Sequence, residues 1–560
     1  MQRSGAHIIC DFLEQRGIRY VAGMPGGANL PLYDALSRSR LRHVLVRHEQ
    51  AAGFIAQGMA RASGRTQVCL ATSGPGATNL LTALADARLD SIPIVAITGQ
   101  VPTSLIGTDA FQEVDAVSIF RPVVKHAVLV REPNDLLPAL RHAFDMAESG
   151  RPGPVLVDVP KDIQLALLEV ATPPPSTASS HSARPAITRD QLARASDLIR
   201  HAERPVLYVG GGAIHAEARA LLQEFAAREQ LPVVCTLMGL GAFDPASPQF
   251  CGMLGMHAAP YTNLLLQECD LLIALGARFD DRATGKLSEF CPHARTLHVD
   301  IDRRELGKLR SVDVGIVSDV RDFLRAILPS TSETSRPALW RRLAELRERH
   351  PLPEPKSSDG SLHPLALMRA LAARVTPETT ITTDVGQHQM WVAQALPIRR
   401  ARGLLTSGGL GSMGFGLPAA IGAALITEER VWCISGDGSL LINIQELATL
   451  AELGLDVTII VLDNGQLGMV RQQQQLFYAQ RLSASCYERP TDLLAVARGF
   501  GIPAYDWQPH TSGLPLLTQL LAQRGPQLIR VPLTAAELVL PVVPSGAGNH
   551  EMLGAQLEHG

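Results

Sequence analysis

The residues in this chain best placed to do chemistry lie between Gly436 and Asn464. The run Gly436-Asp437-Gly438-Ser439 follows an apolar segment ending at Ser435, and Asn464 closes the next apolar segment, 27 residues beyond Asp437. A strand, a helix through about Leu453 and a second strand fit that spacing, which makes a βαβ unit with polar groups at both strand ends. Adjacent parallel strands would set Asp437 and Asn464 side by side as two hard oxygen donors. Mg²⁺ takes few such ligands from protein and completes its shell with phosphate oxygens and water. The glycines let phosphate approach the backbone, and the helix N-terminus favours its charge. The chemistry expected is that of a diphosphate held through a divalent metal. A bare Gly-Asp-Gly also reads as a strand-to-helix turn capped by Asp437; the spacing to Asn464 favours the metal.

Elements to position such a site recur along the chain. Two Pro- and Ser-rich stretches, Thr172 to Pro185 and Pro351 to Pro364, read as linkers. They leave three pieces, expected as domains at 1–170, 186–345 and 362–545. In each, short Val/Ile/Leu runs alternate with helical patterns, which predicts an α/β protein of mainly parallel sheets covered by helices. Strands are expected at 43–47, 67–72 and 92–98, at 205–209, 270–276 and 295–300, and at 379–384, 430–435 and 456–464. Functional groups should gather at their carboxyl ends. The residues from Pro544 onward read as a loosely held tail.

The 560 residues suggest about three domains, and a hydrophobic fraction of 46% with 19% charged residues is that of a globular protein. A net charge of -3 gives no reason to expect nucleic acid. No apolar run approaches a membrane span, and the N-terminus enters a helical pattern directly, so a cytoplasmic location is expected. The eight cysteines are scattered without a CxxC pair, which predicts reduced, mostly buried thiols.

Four further motifs stand out. Gly409 to Gly414 matches GxGxxG, a weak sign of a dinucleotide on its own. Glu49 follows an apolar run in Arg47-His48-Glu49-Gln50, where an isolated acid would be read as a surface ion pair. Gly210-Gly211-Gly212 after an apolar run supports a nucleotide-sized ligand, and Gly276-Ala277-Arg278-Phe279-Asp280-Asp281-Arg282 carries a guanidinium suited to clamping a carboxylate. The plain alternative for Arg282 is an ion pair with Asp280 or Asp281.

Taken together, GDGS with Asn464, RHEQ, SGPGATN (73–79), GTDAFQE (107–113) and GARFDDR resemble a thiamine-diphosphate enzyme. The likeness is to the acetohydroxyacid synthase (acetolactate synthase) large catalytic subunits, the bacterial isozyme I group in particular, and it runs through nearly the whole chain. The usual signature has two asparagines; here the first is Asp463.

The resemblance implies three domains, two of thiamine-diphosphate-binding fold flanking a central Rossmann-like FAD domain. It implies Mg²⁺ on Asp437, Asn464 and the carbonyl of Gln466, and a diphosphate clamp from Gly436, Gly438 and Ser439 with the turn Val385-Gly386-Gln387-His388. The Gly411 carbonyl would accept from the aminopyrimidine and Met413 would hold the cofactor bent. Glu49 would fix the proton on the pyrimidine nitrogen, reaching across a subunit interface. FAD without a redox role would lie on Arg151, Gly210, Gly211, Met256, His257 and Gly276, and on Arg278, Asp280, Arg282, Asp300 and Asp319. Gly27, Ala28, Phe111, Gln112, Met256, Met469 and Gln473 would line the substrate channel, with Arg282 on the carboxylate of the second substrate. Gln112 joins Glu49 and Arg282 as a catalytic residue in this reading, and Met469 also touches the thiamine cofactor.

The activity so implied is decarboxylation of pyruvate and condensation with a second pyruvate to 2-acetolactate, or with 2-oxobutyrate to 2-aceto-2-hydroxybutyrate, for branched-chain amino-acid synthesis. Gln473 stands where the family commonly has a Trp that favours 2-oxobutyrate, so little preference for that acceptor is expected. A homodimer or tetramer and a small regulatory subunit are the implied partners. Two alternatives stay open: another thiamine-diphosphate 2-oxo acid decarboxylase or carboligase, and a non-catalytic flavin-binding or regulatory subunit.

Overall fold

The computed structural model describes residues 2–169, 186–331, 334–354, 363–534 and 537–555. The first expected linker lies outside these residues, as does most of the second.

Three six-stranded sheets, all of parallel strands, follow one another along the chain. In the N-terminal sheet the order is Arg42–Leu45, Tyr20–Gly23, Gln67–Ala71, Ile94–Gln100, Val155–Pro160, His126–Leu129. The central sheet runs Phe250–Met253, Val233–Cys235, Pro205–Val209, Leu271–Leu275, Arg295–Asp300, Val314–Val317. The C-terminal sheet runs Leu404–Leu405, Thr380–Thr383, Val431–Gly436, Val457–Asp463, Gln527–Pro532, Ala504–Asp506. The inner strands are buried on both faces, which is why they read as unbroken apolar runs rather than alternating ones. The nine strands expected from the sequence are present to within a residue or two; short edge strands such as Leu404–Leu405 carry too little apolar signal to be read.

The N- and C-terminal sheets share one core. Helix Glu49–Ser63 crosses helix Gly416–Thr427 so closely that a Cβ at Gly58 would lie 2.2 Å from the Ala419 carbonyl oxygen, and one at Gly422 would lie 2.1 Å from that of Ile55. Only glycine admits two helix backbones at that range. Ile55, Met59, Leu417 and Ile421 fill the seam.

Two expectations are corrected. The helix after Asp437 is not continuous: it ends at Ile442 and resumes at Glu446. At the break Asn443 Nδ2 donates to the Gly414 carbonyl and to Gln50 Oε1, which pins the loop bearing Gly414 to the N-terminal domain. Nor are the residues after Pro544 loose as far as residue 555. Asn549 is 1% exposed and donates to the Ala283 carbonyl, Asn263 donates to the Asn549 carbonyl, and Val542 pairs with Leu553. Asn549 finds both partners more than 250 residues away, which local composition does not reveal. The thiols are all free, and all but Cys486 are buried, as expected.

Candidate active site

Strands Val431–Gly436 and Val457–Asp463 are hydrogen-bonded neighbours, with Gly436 opposite Leu462. Asp437 and Asn464 therefore leave the sheet from adjacent strand ends. Burial and the neighbouring Asp463 raise Asp437 above the usual carboxylate range. Asp463 itself is matched: Arg530 Nε donates to it at 2.5 Å and the Gly465 amide at 3.3 Å. The acid standing where the usual signature has asparagine thus brings its own guanidinium, from the next strand of the sheet. Asn464 Nδ2 donates to Gln387 Oε1 at 3.3 Å, which leaves the amide oxygen as its ligand atom. Gln466 is buried and its backbone is fixed by a bridge to Cys486.

Around this pair the chain forms a cradle. Burial pushes His388 down to about 4, so the imidazole is neutral, and its Nε2 is buried with no hydrogen-bond partner among the described residues. A Cβ on Gly436 would meet the His388 ring at 3.1 Å, and one on Gly438 would lie 2.5 Å from Tyr487 Oη. Ser439 Oγ donates to the Val385 carbonyl at 2.6 Å, joining the two clamps. Hard oxygen donors, an imidazole whose Nε2 is left unpartnered among the described residues and a backbone kept bare by glycine fit a metal-bound diphosphate. Tyr487 was not legible as part of this cradle, because its tie to the site is a backbone bond to Gly465 and contact with a glycine.

Asp384, buried and raised to about 6 by that burial, locks the next layer. Its carboxylate accepts from the amides of Val385, Gly414 and Gly416, so one side chain holds the Val385–His388 turn and the loop carrying Gly411 and Met413. That loop joins strand Leu404–Leu405 to helix Gly416–Thr427 with Gly411 and Gly414 at positive φ. Met413 lines the cavity described next.

A cavity of about 1620 Å³ extends from this cradle into the central domain. Val385 to His388, Gly436 to Ser439, Asn464 and Gln466 line one end; Gly210, Gly211, Gly276, Arg278, Asp300 and Asp319 line the other, together with Arg151 from the N-terminal domain. Met256, His257, Asp280, Arg282, Met469 and Gln473 also line it. The glycines there are structural as well: a Cβ on Gly210 would lie 2.1 Å from the Gly276 carbonyl oxygen. Asp280 and Asp319 cap short helices, accepting from the Ala283 and Arg321 amides. Burial raises Asp300 to about 6. His257 is buried, pushed down to about 4, and meets the Pro541 carbonyl through Nδ1 at 3.0 Å. The Arg282 guanidinium is 62% exposed and only loosely paired, 3.7 Å from Asp281. Its alternative reading as a committed ion pair is therefore weak, and it is available to a carboxylate.

The remaining candidates lie elsewhere. Glu49 opens helix Glu49–Ser63, is 7% exposed and accepts from Asn79 Nδ2 at 2.9 Å, but it does not line the cavity. Neither do Gly27, Ala28, Phe111 and Gln112. The loop bearing the last two is firmly built: Glu113 accepts from the amides of Gly107 and Ala110, and Gln100 donates to the Val114 carbonyl. Gln112 sits at a φ of 60°, and Phe111 is 88% exposed at the crest. Within one chain, the structure gathers the diphosphate, flavin and Arg282 candidates and leaves the N-terminal set apart.

A cradle that fits a metal-bound diphosphate at adjacent strand ends, with Met413 lining the same cavity, is the arrangement of a cofactor-dependent α/β enzyme of the thiamine pyrophosphate type. Three family models match in order: the N-terminal thiamine pyrophosphate binding domain at residues 3–119, the central domain at 192–327 and the C-terminal binding domain at 384–531. The acetolactate synthase isozyme 1 large subunit of Escherichia coli is 53% identical over 98% of both chains. The isozyme 2 large subunit of the same organism is 47% identical over 98% of this chain and 99% of its own. A Parasynechococcus marenigrum acetolactate synthase large subunit is 46% identical over 98% of this chain and 91% of its own. The chain belongs to the acetolactate synthase large-subunit family of thiamine pyrophosphate enzymes. Among the described residues no helix is long and apolar enough to cross a membrane.

Proposed function

We propose that this enzyme joins two 2-oxo acids, forming 2-acetolactate from two pyruvates, or 2-aceto-2-hydroxybutyrate when 2-oxobutyrate is the acceptor, for branched-chain amino-acid synthesis. The observation that carries this reading is the continuity of one cavity from the Asp437–Asn464 cradle past Met469 and Gln473 to the exposed guanidinium of Arg282.

Bound thiamine diphosphate supplies an electron sink that lets a 2-oxo acid lose CO₂ and pass its remaining carbons to an acceptor. Asp437, Asn464 and the Gln466 carbonyl hold Mg²⁺, and His388 and Ser439 lie beside the diphosphate. Met413 would support the cofactor, and the Gly411 carbonyl would accept a hydrogen bond from it. Glu49 holds a proton at the pyrimidine nitrogen, which lets the cofactor act as its own base. Arg282 binds the acceptor carboxylate through its planar fork. Met256 and Met469 give the channel apolar walls. FAD occupies the end of the cavity formed by Arg151, Gly210, Gly211 and Asp300, without a redox step.

Glu49, Phe111 and Gln112 reach this cavity from a second copy of the chain in the same reading. Their absence from the cavity of their own chain and the exposed Phe111 support a homo-oligomer with the site at its interface. The relatives are named large subunits, which supports a small regulatory partner. The reading is tested by assaying acetolactate from pyruvate with thiamine diphosphate, Mg²⁺ and FAD omitted in turn. Formation that needs thiamine diphosphate and Mg²⁺ is expected; decarboxylation with no acetolactate would overturn it.

A further inference from the structure

We propose that the turn Leu89-Asp90-Ser91 positions the thiamine-cofactor loop and couples it to the flavin end of the cavity, with Asp90 as the positioning residue. The inference rests on the assignment of the two ends of the cavity to those two cofactors.

On one side, Asp90 has a fully buried carboxylate that spans two amides of the opposite domain: Oδ2 accepts from Gly408 at 3.0 Å and Oδ1 from Gly409 at 2.8 Å. The glycines make that reach possible, since a Cβ on Gly409 would lie 2.9 Å from Asp90 Oδ1 and 2.8 Å from Leu89 Cβ. Asp86 grips the same loop from one helical turn earlier, accepting from Ser407 Oγ and from Ser412 Oγ at 3.0 Å. Arg61 lies between the two acids, 2.9 Å from Asp90 and 3.4 Å from Asp86, and donates to the Thr406 carbonyl at 2.9 Å. The segment held this way, residues 406–412, leads directly into Met413.

On the other side, the same turn receives both N-terminal and central arginines of the flavin end. The Leu89 carbonyl, at the end of helix Leu81–Leu89, accepts from Arg278 Nη1 at 2.6 Å and Arg151 Nη2 at 3.1 Å. Cations belong at a helix C-terminus, where carbonyls are left unpaired. Arg151 Nε also donates to Ser91 Oγ at 2.8 Å, and Ser91 holds a φ of 61°, a left-handed conformation unusual for serine. A second contact runs parallel: Met238 packs where a Cβ on Gly211 would come within 3.2 Å of its Cβ, and its sulfur lies 2.3 Å from the place a Cβ on Gly408 would occupy. Ordering Arg151 and Arg278 around a flavin therefore orders the turn that holds residues 407–409, and the reverse holds by linkage.

The experiment is a binding titration of the apo-protein with thiamine diphosphate at fixed Mg²⁺, read by calorimetry, with and without saturating FAD. In the wild type FAD tightens thiamine diphosphate at least about fivefold, and thiamine diphosphate tightens FAD by the same factor. In Asp90→Asn the amide NH₂ faces donors instead of accepting from them, so the ratio falls to about one while FAD itself still binds. Ser91→Ala, which removes only the hydroxyl that takes Arg151, lowers the ratio by about twofold and serves if Asp90→Asn does not fold. Both cofactors binding the wild type with a ratio of one, or variants that keep the wild-type ratio, would overturn the coupling alone. A wild-type protein that binds no FAD would overturn the cavity assignment and the coupling with it.

Discussion

The carboxyl ends of the N-terminal and C-terminal sheets are built from the same kind of strand and end in opposite circumstances. At the C-terminal sheet, Asp437, Asn464, His388 and Met413 converge on one cavity with polar groups left to be satisfied by a ligand. At the N-terminal sheet, Glu49 already has Asn79, the loop around Gln112 is tied by Glu113 and Gln100, and Phe111 stands in solvent. One end is a receptacle and the other is a rigid projection. The receptacle carries its own acid, Asp437, while the projecting loop shares its sheet end with Glu49, and the helix seam at Gly58 and Gly422 binds the two domains within a chain.

The largest effect that could break this comparison is expected for Glu49→Gln. The amide cannot hold the pyrimidine nitrogen as a carboxyl does, and acetolactate formation should fall by at least about 10²-fold. Mg²⁺-dependent binding of thiamine diphosphate should persist, because the cradle lies at the other sheet. Turnover at the wild-type level would remove Glu49 from the mechanism.

Whether projection and receptacle belong to different chains is decided by mixing two dead variants, Glu49→Gln and Asp437→Ala, after dissociation and reassembly. If each site draws on two chains, half the pairs are hybrid and each hybrid has one intact site, so about a quarter of the wild-type activity returns. If each site lies within one chain, every site keeps a lesion and nothing returns.

The receptacle is sharpened next by Arg282→Gln. Loss of a charge-assisted bond to the acceptor carboxylate should cost about 1.5–3 kcal/mol, or about 10- to 160-fold in condensation. Decarboxylation should suffer less, so that product released without condensation rises relative to acetolactate. An equal loss in both would move Arg282 from the acceptor to the structure.

Asp437 gives a pH test of the same end. Its raised pKa means that the folded, metal-free chain keeps a proton there to higher pH than the unfolded chain does. Mg²⁺ must displace that proton, so its apparent affinity should fall from about pH 8 to about pH 6. The sign for stability is opposite: with more protons bound folded than unfolded, the metal-free chain loses stability as pH rises from about 4, the ordinary carboxylate value, to about 7, the folded value. Added Mg²⁺ should restore it, which thermal unfolding with and without metal would reveal.

How far these features could be read from the sequence depended on distance along the chain. The strands ending at Gly436 and Asp463 were legible, because each is an apolar run closed by polar residues, and the pairing of Asp437 with Asn464 as candidate ligands followed from their adjacency. The charge balance at Asp463 was not, since it depends on Arg530 reaching it from another strand. The likeness to a family supplied Glu49, which as an isolated residue reads better as a surface ion pair, and gave Arg282 its place on the acceptor carboxylate. Nothing local marked Asp86, Asp90 and Arg61 as a buried cluster; Asp90 looks like an ordinary acid at a helix end until Gly408 and Gly409 arrive from over 300 residues away.

The smallest effect concerns acceptor choice, and it tests whether the receptacle alone sets it. Gln473 is exposed on helix Gly468–Phe477 and lines the cavity, whereas its neighbour Gln472 is buried and committed to Gln387 and to both backbone groups of Val539. Position 473 can therefore be changed without disturbing the helix's attachment. The two acceptors differ by one methylene, for which a fitted pocket discriminates by about 1–3 kcal/mol. A flexible amide gives that methylene no fixed surface, so the wild type should make the two products in nearly the ratio of substrates supplied. Gln473→Trp offers a flat apolar face and should shift the ratio toward 2-aceto-2-hydroxybutyrate by about tenfold. Competition at equal pyruvate and 2-oxobutyrate reads this directly. A strong bias already present in the wild type, or no shift in the variant, would place the selecting surface elsewhere, and Phe111 on the projecting loop would be the next residue to change.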